Sequence, residues 1–269
     1  MNETLFKKYN IPVPRYTSYP TANEFKPFDA EQYLKAVESS NNATADNISF
    51  YIHVPFCRHL CHYCGCNSVV MAKPDRITEY FETLHKEIDL LLPHLRKDRR
   101  ISQIHYGGGS PSSMPLTHIR ALNEHLLSAF DTIDQPEIAI ECHPGYLKME
   151  DWQYLLDSRF NRFSLGIQDF DDEVLHAVNR HPSLLPVSDI IEVLRSGGAR
   201  VNFDFIYGLP RQTVEKFVAT IEAAIALRPD RLVTFSYAHL PSLFKRQTLL
   251  EKAGLPPQDE KLKMFECAA

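Results

Sequence analysis

The stretch YIHVPFCRHLCHYCGCN, residues 51–67, runs out of an apolar segment of strand length and directly into four cysteines within ten positions. A strand delivering reactive side chains at its C-terminal end is the unit from which the rest of the chain reads. Only six cysteines occur in 269 residues, so two-thirds of the thiols lie in this one loop. Cys142 and Cys267 stand apart and read as ordinary buried thiols.

The same unit recurs. Strand-length apolar runs appear at 48–54, 101–106, 137–142, 163–168, 201–207 and 232–237. Between them lie helical periodicities. Ile77, Tyr80, Phe81, Leu84, Ile88, Leu91 and Leu95 repeat at i, i+3, i+4. Leu116, Ile119, Leu122, Leu126 and Phe130 do so behind Pro115, a suitable first helical residue, and Val214, Phe217, Ile221 and Ala224 form a third set. Strand–helix repetition implies an α/β fold with a parallel sheet. Six units suggest an open or partial β/α barrel, with a doubly wound sheet as the competing architecture. Residues 1–47 read as an irregular, proline-punctuated N-terminal arm with one helix around 29–39. Residues 48–245 read as the barrel and 246–269 as the start of a further region. The last helical pattern, from 259, has no C-cap, and the polypeptide is expected to continue.

The unusual residues fall at strand C-termini: the cysteines after strand 1, GGGSP (107–111) after strand 2 and Glu141 at strand 3. Gln168 closes strand 4, Asp204 sits late in strand 5, and Tyr237-Ala238-His239 ends strand 6. In β/α barrels that face carries the chemistry, because the βα loops converge there.

Hydrophobic residues at 44% and charged residues at 23% describe an ordinary globular chain. A net charge of −5 argues against nucleic acid as a partner. No run of about 18 apolar residues is present, so no membrane span is expected, and the N-terminus lacks a signal-peptide core. A cytoplasmic location follows. In that reducing compartment clustered cysteines serve metal binding or catalysis rather than disulfides.

The spacing is Cys57-x3-Cys61-x2-Cys64-x-Cys66. Structural zinc is one reading, since His53, His59 and His62 lie nearby, but no second knuckle follows. A redox pair at Cys61/Cys64 leaves two thiols without a role. Three thiolates spaced x3 and x2 also suit a cubane iron–sulfur cluster with one iron left free of protein. That spacing resembles the radical S-adenosylmethionine (SAM) superfamily. The resemblance implies a [4Fe–4S] cluster on Cys57, Cys61 and Cys64. It also implies SAM chelated to the free iron, with one-electron cleavage of the sulfonium to a 5′-deoxyadenosyl radical. GGGSP resembles the superfamily's glycine-rich turn, whose open backbone meets the methionine ammonium.

RYTSYPTA (15–22), NRFSLGIQDFDDEVLHAVNR (161–180), DFIYGLP (204–210) and SYAHLP (236–241) resemble one family within it, the oxygen-independent coproporphyrinogen III oxidases. Related haem chaperones, the alternative, generally lack the RYTSYPT arm and the Gly-Cys-Asn after the third ligand. The resemblance implies oxidative decarboxylation of two propionates of coproporphyrinogen III to vinyl groups, giving protoporphyrinogen IX in haem biosynthesis. An electron donor such as flavodoxin or ferredoxin and a monomeric state come with it. A partial (β/α)6 barrel is implied, followed by a mostly helical C-terminal domain largely missing from this sequence. The 269 residues are therefore expected to cleave SAM without coupling to coproporphyrinogen.

Carried over by position, a first SAM contacts Tyr51, Gly108, Glu141 and Asp204. A second lies against Tyr63, Gly109, Ser110, Gln168, Arg180 and Ala238. Taken alone, Arg180 could be a solvated helix-end charge and Tyr63 a shield over the thiols. Cys66 is not a ligand in the family, but it is close enough to replace one in a Cys64→Ser variant. Arg15 is the candidate partner of a substrate propionate, and His53 and His239 read as supporting residues. Two departures stand out: Cys-His-Pro-Gly (142–145) lacks the acidic residue common before that proline, and Ser110 replaces a commoner threonine.

Overall fold

The computed structural model describes residues 24–42, 46–71 and 73–268, together with positions 4, 5, 8 and 21; Arg15 lies outside these. Six strands form one sheet: β1 (Asn47–Val54), β2 (Arg100–Gly108), β3 (Thr132–Cys142), β4 (Arg162–Gln168), β5 (Arg200–Tyr207) and β6 (Arg231–Ser236). Every neighbouring pair is parallel, and spatial order equals chain order. A doubly wound sheet needs a reversal of strand order at a switch point, and there is none here. Unreversed right-handed crossovers place all the helices on one face and curl the sheet. The result is a partial barrel whose edge strands, β1 and β6, do not pair with each other.

The two faces differ in chemistry. Ile48, Ile52 and Val54, Phe163, Leu165 and Ile167, and Val201, Phe203 and Phe205 point beneath the helices and are buried. The alternate positions carry Tyr51, His53, His105, Glu141, Ser164, Gly166, Gln168, Asn202 and Asp204. Parallel strands covered on both faces usually read as continuous apolar runs. Period-2 alternation here marks an inner face built for polar contents.

The covering helices are α2 (Pro74–Leu91), α3 (Leu116–Ala129), α4 (Met149–Asp157), α6 (Val187–Ser196) and α7 (Val214–Ala226). Short α5 (Asp172–Ala177) lies between β4 and α6, α1 (Ala30–Ser40) precedes β1, and α8 (Thr248–Ala253) and α9 (Gln258–Ala268) follow β6. Each turns its apolar stripe inward: Ile77, Phe81 and Ile88 on α2, Ile119, Leu122 and Leu126 on α3, and Trp152 against Phe163 on α4. Each such side chain contributes about 1.5–3 kcal/mol by leaving water. Thr213 caps α7, its hydroxyl accepting from the Lys216 amide at 3.3 Å.

Several local expectations shift. Pro115 is the N-cap of α3 rather than its first residue. Helix α2 stops at Leu91, and Leu92-Pro93-His94 continues as a 3-10 turn because the proline removes a backbone donor. Strand β3 starts at Thr132, five residues before the expected 137; Gln135, at φ +70°, interrupts its pairing ahead of Pro136. Helices α4, α5 and α6 have no counterpart in the sequence reading, being too short for a repeated i, i+3, i+4 signal. Cys142 is buried as expected, but Cys267 is exposed on α9. No helix among the described residues is long and apolar enough to cross a membrane.

The α2–α3 contact contains a histidine pair. His85 Nδ1 and His125 Nδ1 lie 2.8 Å apart, and His125 Nε2 reaches Asp89 Oδ1 at 3.1 Å. Burial and the neighbouring His125, and more weakly His118, hold the His85 imidazole below its ordinary 6.5, against an opposing pull from Asp89. The unfolded chain therefore takes up a proton that the folded one resists, and stability falls as pH drops from about 6.5 toward the depressed value. Denaturant midpoints between pH 7.5 and 5 should show this loss, and His85→Gln should flatten it.

Candidate active site

The cysteine loop leaves β1 and is anchored at once. The two-residue strands Phe56–Cys57 and Val69–Val70 pair in parallel, with the Val69 amide on the Pro55 carbonyl (2.9 Å) and the Met71 amide on the Cys57 carbonyl (2.7 Å). Further along, the His62 amide bonds the Val178 carbonyl (2.9 Å), and Asn179 Nδ2 bonds the Leu60 carbonyl (3.1 Å). Cys57, Cys61, Cys64 and Cys66 consequently line a single cavity of about 170 Å3 at the C-terminal ends of the strands. Burial, with Cys64 and Cys61 beside it, pushes the Cys57 thiol up to about 11. Cys64 is drawn down to about 6, chiefly by the hydrogen bond from Cys66, whose own thiol shifts upward. Three thiols crowded in this way resist ionising together unless a cation joins them.

The glycine turn after β2 is stitched to the same loop. The Gly109 amide donates to the Val54 carbonyl (2.8 Å) and the Ser110 amide to the Phe56 carbonyl (3.0 Å). A Cβ on Gly109 would stand 2.5 Å from the Pro55 carbonyl oxygen, and Gly108 adopts φ +119°. No side chain fits at the first position, and only glycine is comfortable at the second. The buried Ser110 hydroxyl pairs with the Ser113 hydroxyl at 2.7 Å.

Two carboxylates face the cavity. Glu141 accepts from the Gly108 amide (3.3 Å) and meets His105 Nε2 (3.2 Å). Asp204 accepts from Ser164 Oγ and Asn202 Nδ2, both at 2.8 Å. Burial still pushes the Asp204 carboxyl up against these bonds, and the nearby Glu141 charge adds to the shift. Opposite them, Arg180 is buried. It donates to the Gly166 carbonyl, to the Tyr63 hydroxyl (3.2 Å) and to Cys61 Sγ (3.6 Å). It is not a solvated helix-end charge. Gln168 lines the cavity with φ +71°, a conformation costing about 1–3 kcal/mol in a non-glycine residue. Such strain persists where a side chain must be aimed.

Most of the expected site is thus brought together: the three cysteines, Tyr63, Gly108, Gly109, Ser110, Glu141, Gln168, Arg180 and Asp204. Tyr51 and Ala238 do not line the cavity. Tyr51 is exposed, stacked on His105 (5.8 Å between ring centroids), with its hydroxyl 3.1 Å from His53 Nδ1. His53 and His239 are both satisfied, through the Asn67 carbonyl (2.9 Å) and through Tyr237 (2.8 Å) and Glu251 (2.9 Å). Sequence reasoning missed His143 and Tyr146 on the cavity wall. Burial, and then Arg180 and His181, hold the His143 imidazole down to about 2, so it is neutral. It also missed Ser164, Asn202 and His105, which orient the carboxylates. Their signal was present, as polar residues at alternate positions of parallel strands.

Residues 51–224 match the family model of the radical SAM superfamily. The chain belongs to the radical SAM superfamily. It is 38% identical over 269 residues to the oxygen-independent coproporphyrinogen III oxidase of Pseudomonas aeruginosa, covering 97% of this chain and 58% of that one. The corresponding protein of Salmonella typhimurium is 39% identical over 97% of this chain and 57% of its own. Among solved structures, the coproporphyrinogen III oxidase of Escherichia coli, described as a radical SAM enzyme, superposes with a TM-score of 0.88 at 36% identity. That match covers 98% of this chain and 59% of that one. The archaeal Elp3 of Methanocaldococcus infernus shares the fold alone (TM-score 0.52, 15% identity, 82% of this chain and 54% of that one). The chain spans a little under three-fifths of the length of its coproporphyrinogen oxidase relatives.

Membership of the radical SAM superfamily implies a [4Fe–4S] cluster and SAM, and the residues fit both. Among the described residues, no three His, Cys, Asp or Glu side chains converge as the ligands of a single metal ion do. Cys57, Cys61 and Cys64 nevertheless line one cavity, and thiolates are the donors an iron–sulfur cluster takes. The two carboxylates facing a buried guanidinium complement an amino acid that carries an ammonium, a sulfonium and a carboxylate.

Gly109→Ala tests the cradle. The added methyl collides with backbone rather than with a flexible side chain, so the substitution should destabilise the chain by about 1–3 kcal/mol. Calorimetry checks the stability, and titration with SAM should show binding lost.

Proposed function

We propose that this chain carries the catalytic barrel of an oxygen-independent coproporphyrinogen III oxidase. The observation behind this reading is the single cavity in which a Cys-x3-Cys-x2-Cys loop meets a stitched glycine turn, two carboxylates and a buried arginine. The relatives named for that activity are similar across 97% of the chain.

In this reading Cys57, Cys61 and Cys64 hold the cluster. Glu141 and the Gly108 backbone receive the methionine ammonium of a first SAM, and Asp204, oriented by Ser164 and Asn202, accepts from its ribose. Tyr51 closes the outer edge. A second SAM rests on Tyr63, Gly109, Ser110, Gln168 and Arg180, with Ala238 at the rim. When bound, the cluster and SAM supply the one-electron cleavage of a carbon–sulfur bond and hence a hydrogen-abstracting radical. The residues of the chain bind, orient and exclude water. Each propionate gives one β-hydrogen atom to that radical, then releases CO2 and passes one electron to a one-electron acceptor, to leave a vinyl group, and this happens twice per coproporphyrinogen III. No side chain has to remove a proton from carbon, which agrees with a cavity whose carboxylates are engaged in orienting contacts. The reducing electron comes from a flavodoxin- or ferredoxin-type carrier in the cytoplasm.

Anaerobic reconstitution should give a brown protein with labile sulfide and absorption at about 400 nm. Reduction with SAM present should release 5′-deoxyadenosine. Cys57→Ala and Cys61→Ala should lose the cluster, whereas Cys64→Ser should keep part of it, because Cys66 lines the same cavity. With coproporphyrinogen III as substrate in the enzyme extended to the length of its relatives, vinyl products are expected. Stable haem binding without decarboxylation would point to a chaperone, and zinc without sulfide would end the reading.

A further inference from the structure

The cysteine loop is fastened on its far side by a segment more than 180 residues later in the chain. Three residues of that segment address three consecutive residues of the loop. The Gln247 side chain, 1% exposed, donates from Nε2 to the Tyr63 carbonyl at 3.0 Å and to the Ala238 carbonyl at 3.3 Å. Its Oε1 accepts from the Leu240 amide at 2.5 Å. Arg246 donates to the Cys64 carbonyl from both Nε (3.2 Å) and Nη2 (2.6 Å). The Phe244 ring lies over Gly65, where a Cβ would come within 3.2 Å of it.

We infer that Phe244, Arg246 and Gln247 form a clamp that positions Cys64 for cluster binding, with Gln247 as its buried fulcrum. This rests on the assignment of Cys57, Cys61 and Cys64 as ligands. Between Cys61 and Ser68 the loop has neither helix nor strand. Its own backbone contributes the Cys64 amide to Cys61 carbonyl bond (3.2 Å) and a long Cys66 amide to Cys64 Sγ bond (3.4 Å), both local to the loop, so what fixes the Cys64 backbone against the rest of the fold comes from outside it. Cys57 has the short ladder to Val69–Val70, and Cys61 has Arg180 and the neighbouring His62–Val178 bond. Cys64 has the clamp. A buried amide is costly unless all its polar atoms are satisfied, and Gln247 satisfies them by joining the cysteine loop to the stretch after β6. Neither Gln247 nor Arg246 lines the cavity, so both act through the backbone that carries the ligand.

The test is the rate at which a chelator strips iron from the anaerobically reconstituted chain, measured beside the paramagnetic resonance spectrum of the reduced cluster and the melting temperature of the metal-free protein. Gln247→Glu keeps the size and the acceptor for Leu240 but loses both donors. Arg246→Met keeps the aliphatic stem and loses the bonds to Cys64. Both should release iron on the order of ten-fold faster than wild type, the effect of about one lost hydrogen bond. Both should also alter the resonance spectrum; the metal-free melting temperature should stay close to wild type in Arg246→Met and fall in Gln247→Glu, which sets a buried carboxylate against two carbonyl oxygens. Lys245→Met, on the exposed residue between Phe244 and Arg246, should behave as wild type. If wild type takes up its cluster and both variants release iron at the wild-type rate with unchanged spectra, the clamp is wrong while the cluster assignment stands. If Gln247→Glu fails to fold, Arg246→Met decides by itself. A wild-type chain that takes up no cluster removes both the assignment and the clamp.

Discussion

Everything at the site depends on a parallel sheet that presents two different faces. Helices cover only one of them, and there Ile, Val, Leu and Phe at alternate positions supply the folding energy. The other face is free to carry Tyr51, His105, Glu141, Ser164, Asn202 and Asp204 because it packs under no helix. Consecutive strand order brings this about: an unreversed sheet curls around its uncovered face, and polar side chains on five of the six strands then share that face. Reversing one crossover would set a helix against those side chains and force them to become apolar.

Within that trough the electrostatics are set by pairing. Glu141 and Asp204 each have donors of their own, yet burial raises the Asp204 carboxyl, and the Glu141 charge adds to that rise. Across from them Arg180 places its cation against the Gly166 carbonyl, the Tyr63 hydroxyl and the Cys61 sulfur. His143, close to Arg180, is kept uncharged by burial and by that guanidinium, so it does not add a second positive charge there.

Much of this was legible in the sequence. The six strands, the barrel order of chemistry along them and the cysteine–glycine pairing follow from period-2 and period-3.6 patterns, with the unusual residues falling at strand ends. Less legible was whatever depends on distance in sequence. Arg180 reads equally well as a surface charge until the fold sets it against Cys61. Gln247 has no motif, because its partners lie at Tyr63 and Ala238. The short helices α4 to α6 escaped because six to ten residues give too few turns for periodicity. Tyr51, on the edge strand β1, lies outside the cavity with its ring stacked on His105 and its hydroxyl on His53, contacts that its place in the motif does not reveal.

The cysteine loop is held at three points by three different parts of the chain: β1 and its extension at Cys57, the stretch after α5 at Cys61, and the stretch after β6 at Cys64. These parts are the two rims and the middle of an incomplete wall whose rims share no backbone hydrogen bonds. An inorganic core gripped by all three thiols, as proposed, would therefore also be a rivet. It would tie together the seam that the polypeptide leaves unsewn, and its departure would slacken the mouth of the trough while the helical jacket stayed folded.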